Sequence, residues 1–484
     1  MQVAVKEVRI GLRNSTVRIP FRYGNSCLTR CPQAVVFATI EVAGSTVTGF
    51  SGDCLPPGWF DKSAGKGFDE QIADMLRSTQ QAIDSFSSSL GQPKTFFEGW
   101  SESYRLQQEW GREEGLPSLL ASFGLSLVER AIMDGMARKA GVSFHQAVQE
   151  NLFAIRPGDV FPELEGYELT QWLPAVAKTS IFVRHTVGLS DPLTASDIPP
   201  GERLEDGSPQ ALEEYVTETG TSYFKVKVAN DLDRDLGRLK AIAKIVEKHR
   251  GNDYQVTLDG NEQYKDPAEF DQLVDGIRRS VELTRFWANV LVVEQPLPRS
   301  IALDPSYTSG IRTLCKSKPV IIDESDGELR DYSRAIDCGY RGVSSKSCKG
   351  AVKALLNAGL TWQLNQQGGK GQYVMTGEDL CCVGIVAVQA DLCLAATLGL
   401  DHVERNGHHF HPGLEYLTTE QQEAALEAHS DFYTRRGDRV APCVRDGSFH
   451  IASLQCVGFG FGVEPEWQDY IAAEDWSYDS LGLD

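Results

Sequence analysis

The sequence predicts an α/β protein built on a parallel (β/α) barrel, with an α+β domain in front of it. Three observations carry that prediction. Past residue 159, short apolar runs rich in Val and Ile alternate with segments whose apolar residues recur at helical spacing. Charged residues close those runs one after another: Lys225-Val226-Lys227, Asp259-Gly260-Asn261, Glu294-Gln295-Pro296, Asp323-Glu324-Ser325 and Lys346. No G-x-G-x-x-G follows a strand, which argues against an open dinucleotide-binding sheet.

In chain order, Val3, Val5, Val8 and Ile10 lead a first strand, and the β-branched density of residues 34–42 marks a second. Residues 19–24, with Pro20 and Gly24, read as a turn or loop between them. Helical spacing follows over 70–86 and 117–140, the second opened by Pro117. This α+β domain is expected to span 1–160. The barrel is expected over 161–411. Its strands are read at 180–183, 224–228, 254–258, 290–293, 320–322, 342–345 and 361–364, with His402-Val403 closing the series. The clearest helices lie at 232–251, ended by Gly251, at 267–279, opened by Pro267, and at 385–398, which is strongly apolar. Residues 412–484 are too long for a tail. Ile451, Leu454, Phe459 and Phe461 suggest that they pack back on the first domain.

Composition narrows the partners. With 484 residues, 41% hydrophobic and 24% charged, the chain is ordinary globular protein with room for a large core. A net charge of −20 disfavours nucleic acid. Residues 1–12 lack a signal pattern and no long apolar run occurs, so no membrane partner and a cytoplasmic location are expected. The 11 cysteines lack C-x-x-C spacing and read as free thiols. His408-His409-Phe410-His411 reads as a structural loop rather than a metal centre.

The separations 294 − 259 = 35 and 323 − 294 = 29 match the roughly 31 residues per unit of a barrel of about 250 residues. Asp259, Glu294 and Asp323 therefore fall on successive strand ends, where barrels carry their functional groups. Three oxygen donors converging there suit Mg²⁺. Lys225 and Lys227, two apart on one strand, share a face. Two ammonium groups held close repel, and a lysine whose pKa is lowered that way can act as a base near neutral pH. Lys346 belongs to the opposite wall, and a lysine on each face of a planar enolate suits proton removal and redelivery.

These residues resemble the enolase superfamily, in the mandelate racemase/muconate lactonizing enzyme family. The resemblance covers most of the chain and implies a modified TIM barrel, (β/α)7β, under an α+β capping domain. It implies that Asp259, Glu294 and Asp323 hold Mg²⁺, with Mn²⁺ as a possible substitute, and that Asn261 and Glu324 support the metal site. It implies Lys227 as base, Lys225 beside it, and Lys346 on the sixth strand. The stretch read as strand seven has no histidine, which points to the muconate-lactonizing-like subgroup. An insertion at 366–371 follows the stretch read as strand seven, and Thr376-Gly377-Glu378-Asp379 then stands where members carry an acidic residue near the substrate. Arg22-Tyr23 and the Leu55–Phe60 stretch with Trp59 match the cap loops that cover the barrel mouth. Arg22, Tyr23, Trp59, Glu378 and Asp379 are thus candidate substrate contacts. The implied activity is Mg-dependent proton abstraction α to a carboxylate through an enolate, by an isomerase (epimerase, racemase or cycloisomerase) acting on a small-molecule carboxylate, in a homo-oligomer. An acid-sugar dehydratase, a lyase of the same fold, and a non-catalytic binding or structural barrel remain as alternatives.

Overall fold

Three long strands open the chain: β1 (Gln2–Tyr23), β2 (Ser26–Val42) and β3 (Ser45–Cys54) form an antiparallel meander. The computed structural model describes residues 1–23, 26–63, 65–369 and 371–483. The expected loop at 19–24 is strand up to Tyr23, and Gly24 lies outside the described residues. Pro20 has no N–H to give the ladder. The sheet accommodates it with a register shift between Thr16 and Phe21, after which β1 pairs again with β2. Helices α1 (Phe68–Ser89), α2 (Phe96–Glu113) and α3 (Ser118–Ala140) follow. α2 escaped the sequence reading although Thr95 and Glu98 form a capping box at its start. α3 is almost wholly buried. It lies so close to β3 that a Cβ on Gly49 would sit 2.2 Å from the Ala131 carbonyl oxygen.

The second unit is a parallel barrel. Its eight strands run Ser180–Val187, Tyr223–Lys227, Gln255–Asp259, Val290–Glu294, Val320–Ile321, Gly342–Lys346, Val374–Glu378 and His402–Glu404. We number these one to eight. Each pairs with the next, strand eight pairs with strand one, and an Ile322–Val343 bridge joins five to six. Helices Leu212–Glu218, Leu232–Arg250, Pro267–Arg279, Thr308–Leu314, Asp331–Asp337, Ala351–Gly368 and Ala387–Leu398 follow strands one to seven in turn. This is the (β/α)7β arrangement. Right-handed crossovers of this kind place all strand C-termini, and hence all the motif residues, at one mouth.

One strand assignment is corrected. Residues 361–364 belong to the helix Ala351–Gly368, and strand seven is Val374–Glu378. The insertion at 366–371 therefore precedes strand seven instead of following it, and its Lys370 lies outside the described residues. Strand seven still carries no histidine.

The last segment touches both units. Ile471–Ala472 pairs with Leu12 and Gly11 of β1, and Ser448–His450 pairs with strand one. Phe459 stacks on Phe144 with ring centroids 3.7 Å apart. Between cap and barrel, Glu129 of α3 accepts hydrogen bonds from the Trp100 indole and from the Ala351 and Val352 amides, so the cap supplies the N-terminal cap of a barrel helix. Arg130 pairs with Asp53 at 2.9 Å, both buried. Among the described residues no helix is long and apolar enough to cross a membrane.

Candidate active site

Strand two presents Lys225 and Lys227 to the barrel interior because Phe224, Val226 and Val228 alternate with them and are buried on the other side. Strands three and four then end in an interlocked pair of turns. Gly260 donates to the Glu294 carbonyl at 2.9 Å and Glu262 to the Gln295 carbonyl at 2.9 Å. A Cβ on Gly260 would lie 2.6 Å from Pro296 Cα, so that close approach requires glycine. Asn261, Glu262 and Gln295 sit at positive φ (44°, 66° and 35°). Such strain costs about 1–3 kcal/mol per residue and collects at functional sites. The buried Gln295 side chain accepts from the Asp323 amide at 2.8 Å and donates to Ser325 Oγ at 2.7 Å, which fixes the end of strand five against strand four.

The charged side chains meet in the mouth. Lys225 Nζ lies 2.8 Å from Glu294, 2.8 Å from Glu378, 2.9 Å from Glu404 and 3.1 Å from Asp259. Lys227 Nζ stands 2.5 Å from Asp259. Lys346 contacts Asp323 at 2.8 Å and Glu378 at 2.9 Å, with its ammonium 4.3 Å from the Trp59 ring centroid. Lys349 holds the other oxygen of Asp323 at 2.8 Å. Glu378 also takes Arg184 at 3.1 Å, and Glu404 takes Thr186 and Asn406.

Three carboxylates bring oxygens within 4.8 Å of one another: Glu294, Asp323 and Glu378. Glu378 joins this group, while Asp259 stands beside it, held by the two strand-two lysines. The donor set is hard oxygen, and Glu294 Oε2 is buried with no hydrogen-bond partner. Both features fit a divalent cation such as Mg²⁺. Burial and then the neighbouring Glu378 carboxylate push Glu294 well above the usual carboxylate range. Burial raises Asp323 too, but Lys346 and Lys349 outweigh it and bring its pKa down to about 2. Asn261 donates to Glu324 at 2.9 Å, and burial with the Asp323 charge raises Glu324 to about 7.

The lysine expectation is corrected in sign. Burial and the Lys225 charge push Lys227 down, but Asp259 and Glu404 outweigh them, and its pKa is raised. Repulsion between two ammonium groups loses to the carboxylates around them.

Asp323, Lys225, Lys227, Lys346 and Glu404 line a cavity that opens to solvent, whereas Glu294, Glu378 and Asp259 are buried and do not line it, so Glu378 is not the substrate contact expected of it. Trp59, Asp379, Asn261, Lys227 and Lys346 line it, so those predicted residues come together. Arg22 is exposed on β1 and does not line it; Phe21, its neighbour, does. Tyr23 is the last residue of β1, and its side chain lies outside the described part of the structure. The cap loop carrying Trp59 is tied to the barrel by Arg299, which donates to the Trp59 and Phe60 carbonyls at 3.0 Å each and pairs with Glu262. The four residues 408–411 pack among aromatic rings: His409 bonds Tyr215, which stacks on His185. Glu404, Lys349, Gln295 and Arg184 were missed. The strand-end rule that marks Asp259 and Glu294 also marks Glu404, the last residue of strand eight.

No family model matches the chain, and no curated protein matches it in sequence. Solved structures do match it in fold. A mandelate racemase/muconate lactonizing protein from Herpetosiphon aurantiacus is 17% identical with a TM-score of 0.59, over 96% of this chain and 99% of that one. A dipeptide epimerase from Enterococcus faecalis V583, complexed with Mg and the dipeptide L-Leu-L-Tyr, is 14% identical with a TM-score of 0.56, over 92% and 100%. An N-succinyl Arg/Lys racemase from Bacillus cereus is 15% identical with a TM-score of 0.55, over 84% and 88%. What this chain shares with them is the fold.

Proposed function

We propose that this chain belongs to the enolase superfamily, in its mandelate racemase/muconate lactonizing branch, and abstracts a proton from the carbon α to a carboxylate. The observation that carries the reading is a convergent carboxylate group, Glu294, Asp323 and Glu378, set between lysines of strands two and six, with Asp323 and those lysines lining one cavity. Glu294, Asp323 and Glu378, with Asp259 adjacent, would hold Mg²⁺ or Mn²⁺. Such an ion, when bound, supplies Lewis-acid stabilisation of charge building on the substrate carboxylate. Lys227 Nζ takes the proton on one face. Its raised pKa rests on Asp259 and Glu404, so neutralising those carboxylates lowers it toward a working base. Lys346 Nζ, on the opposite wall, returns a proton or stabilises charge on the other face, held there by Asp323 and Trp59. Trp59, Phe21, Pro56 and Leu380 exclude water from the reacting carbon. The outcome we favour is isomerisation (epimerisation, racemisation or cycloisomerisation) of a small-molecule carboxylate in a cytoplasmic homo-oligomer.

The test is incubation in D₂O with Mg²⁺ and a panel of carboxylic acids. Solvent deuterium should enter the α position. Lys227→Ala should lower incorporation by about 10²–10⁴-fold on one face and Lys346→Ala on the other. Incorporation that survives in the Lys227 variant would remove it as base; no incorporation from any acid would leave a binding barrel.

A further inference from the structure

Lys225 touches more carboxylates than the other lysines described in the mouth. Its three ammonium protons are all used, on Glu294, Glu378 and Glu404, each on a different strand, and Asp259 is a fourth carboxylate within 3.1 Å. Its side chain is only 2% exposed, against 18% for Lys227. Two of its three hydrogen-bond partners, Glu294 and Glu378, are also members of the convergent metal-binding group. Removing that positive charge would leave several buried carboxylates unpaired.

We infer that Lys225 is a built-in counter-cation, a positioning residue that holds the carboxylates of strands three, four, seven and eight together and competes with a divalent cation for Glu294 and Glu378. The division of labour on strand two follows. Lys227 is bound to one carboxylate, Asp259, and its side chain reaches the cavity. Lys225, bound to four, sets the affinity of the cation site and keeps it assembled before any cation arrives. The inference rests on the proposed metal site but fails separately from it.

The probe is Mn²⁺, followed by its electron paramagnetic resonance on titration, with thermal unfolding with and without Mn²⁺ as a second readout. Lys225→Met keeps the length and removes the charge. The expected result is Mn²⁺ binding tighter by roughly tenfold or more, because a cation has left the neighbourhood. The metal-free protein should also melt lower and regain more stability on adding Mn²⁺ than the unaltered chain does. Unchanged melting together with Mn²⁺ affinity within about twofold overturns the inference. If Lys225→Met does not fold, Lys225→Met/Glu404→Gln removes one charge of each sign and should fold; tighter Mn²⁺ binding in it supports the inference, and affinity equal to that of the unaltered chain overturns it. Glu294→Gln separates the two readings. Mn²⁺ binding to the unaltered chain that survives Glu294→Gln sinks the metal site, whereas its loss there, without tightening in the Lys225 variants, sinks the role of Lys225 alone.

Discussion

Two of the places where this molecule buries charge are built on different terms. Within the cap and where it meets the barrel, these buried groups are completed by fixed donors. Arg130 satisfies Asp53, Gly52 and Ser126, and Asp134 takes the Phe50 and Phe459 amides and Arg138. Glu129 takes an indole and two helix amides. In the barrel mouth, lysines are shared among carboxylates and one oxygen of Glu294 has no partner. Closed networks hold surfaces together; an open one has capacity left for a ligand.

The sharpest way to break the comparison is to remove one charge from each region. Arg130→Ala should lower unfolding free energy by about 3–5 kcal/mol in urea titrations, with no rescue by Mg²⁺, because it strands Asp53. Glu294→Gln should lower metal-free stability by less than Arg130→Ala does, because the amide oxygen can still accept from Lys225, while abolishing the stabilisation that Mg²⁺ confers. Equal destabilisation of both variants would erase the distinction.

Gln295 lies at the junction of the two styles, closed in its own bonds yet supporting the open site. Gln295→Ala frees the Asp323 amide and should weaken Mn²⁺ binding by about 10–100-fold in titration calorimetry. Unaltered affinity would show that strands four and five hold their register without it.

A third contrast lies in pH. Burial raises Glu129 to about 7, its hydrogen-bond donors offsetting this only in part. Between its ordinary 4.5 and about 7 the folded chain keeps that proton while the unfolded chain has released it, so stability should fall as pH rises through this window. The slope is at most about 1.4 kcal/mol per pH unit for one group. Glu129→Gln should remove that component; stability curves of the two proteins that run parallel across the window would refute it. Asp323, lowered to about 2, has the opposite sign: its contribution is present above its ordinary 3.8 and disappears as pH falls toward 2.

The smallest expected effect concerns the cap's own reach into the mouth. Trp59→Leu removes a cation–π contact of about 0.5–2 kcal/mol. Deuterium incorporation on the Lys346 face should slow by about 2–30-fold, with the Lys227 face spared and Trp59→Phe restoring most of the rate. Equal slowing on both faces would make Trp59 a packing residue only.

Legibility in the sequence follows the same division. Strands two, three and four are β-branched runs ending in a charge, so Lys227, Asp259 and Glu294 were placed from pattern alone. Strand seven, Val374-Met-Thr-Gly-Glu378, contains a glycine and has no alternation to see; its pairing with strands six and eight makes it a strand. The run at 361–364 resembled a strand because Thr and Trp favour one, but Leu355, Leu356 and Leu360 bury one helical flank around it. The carboxylate cluster was legible in type, and the addition of Glu378 and Glu404 was not, because convergence depends on barrel closure. The lysine pKa direction was misjudged because a pair of like charges two residues apart is visible in sequence, whereas four carboxylates arriving from other strands are not.

The pairing of Gly11 and Leu12 with Ala472 and Ile471 has a consequence for how the chain is made. The partners are 472 − 11 = 461 residues apart. At about 5–20 residues per second, ribosomal synthesis separates them by roughly half a minute to a minute and a half. Throughout that interval β1 can fold against β2 and β3 while this stretch of its outer edge offers unpaired amides and carbonyls to any passing strand. Ribosome stalling or premature termination before residue 471 should yield aggregates seeded at the cap edge, even though the barrel and its mouth have already been synthesised.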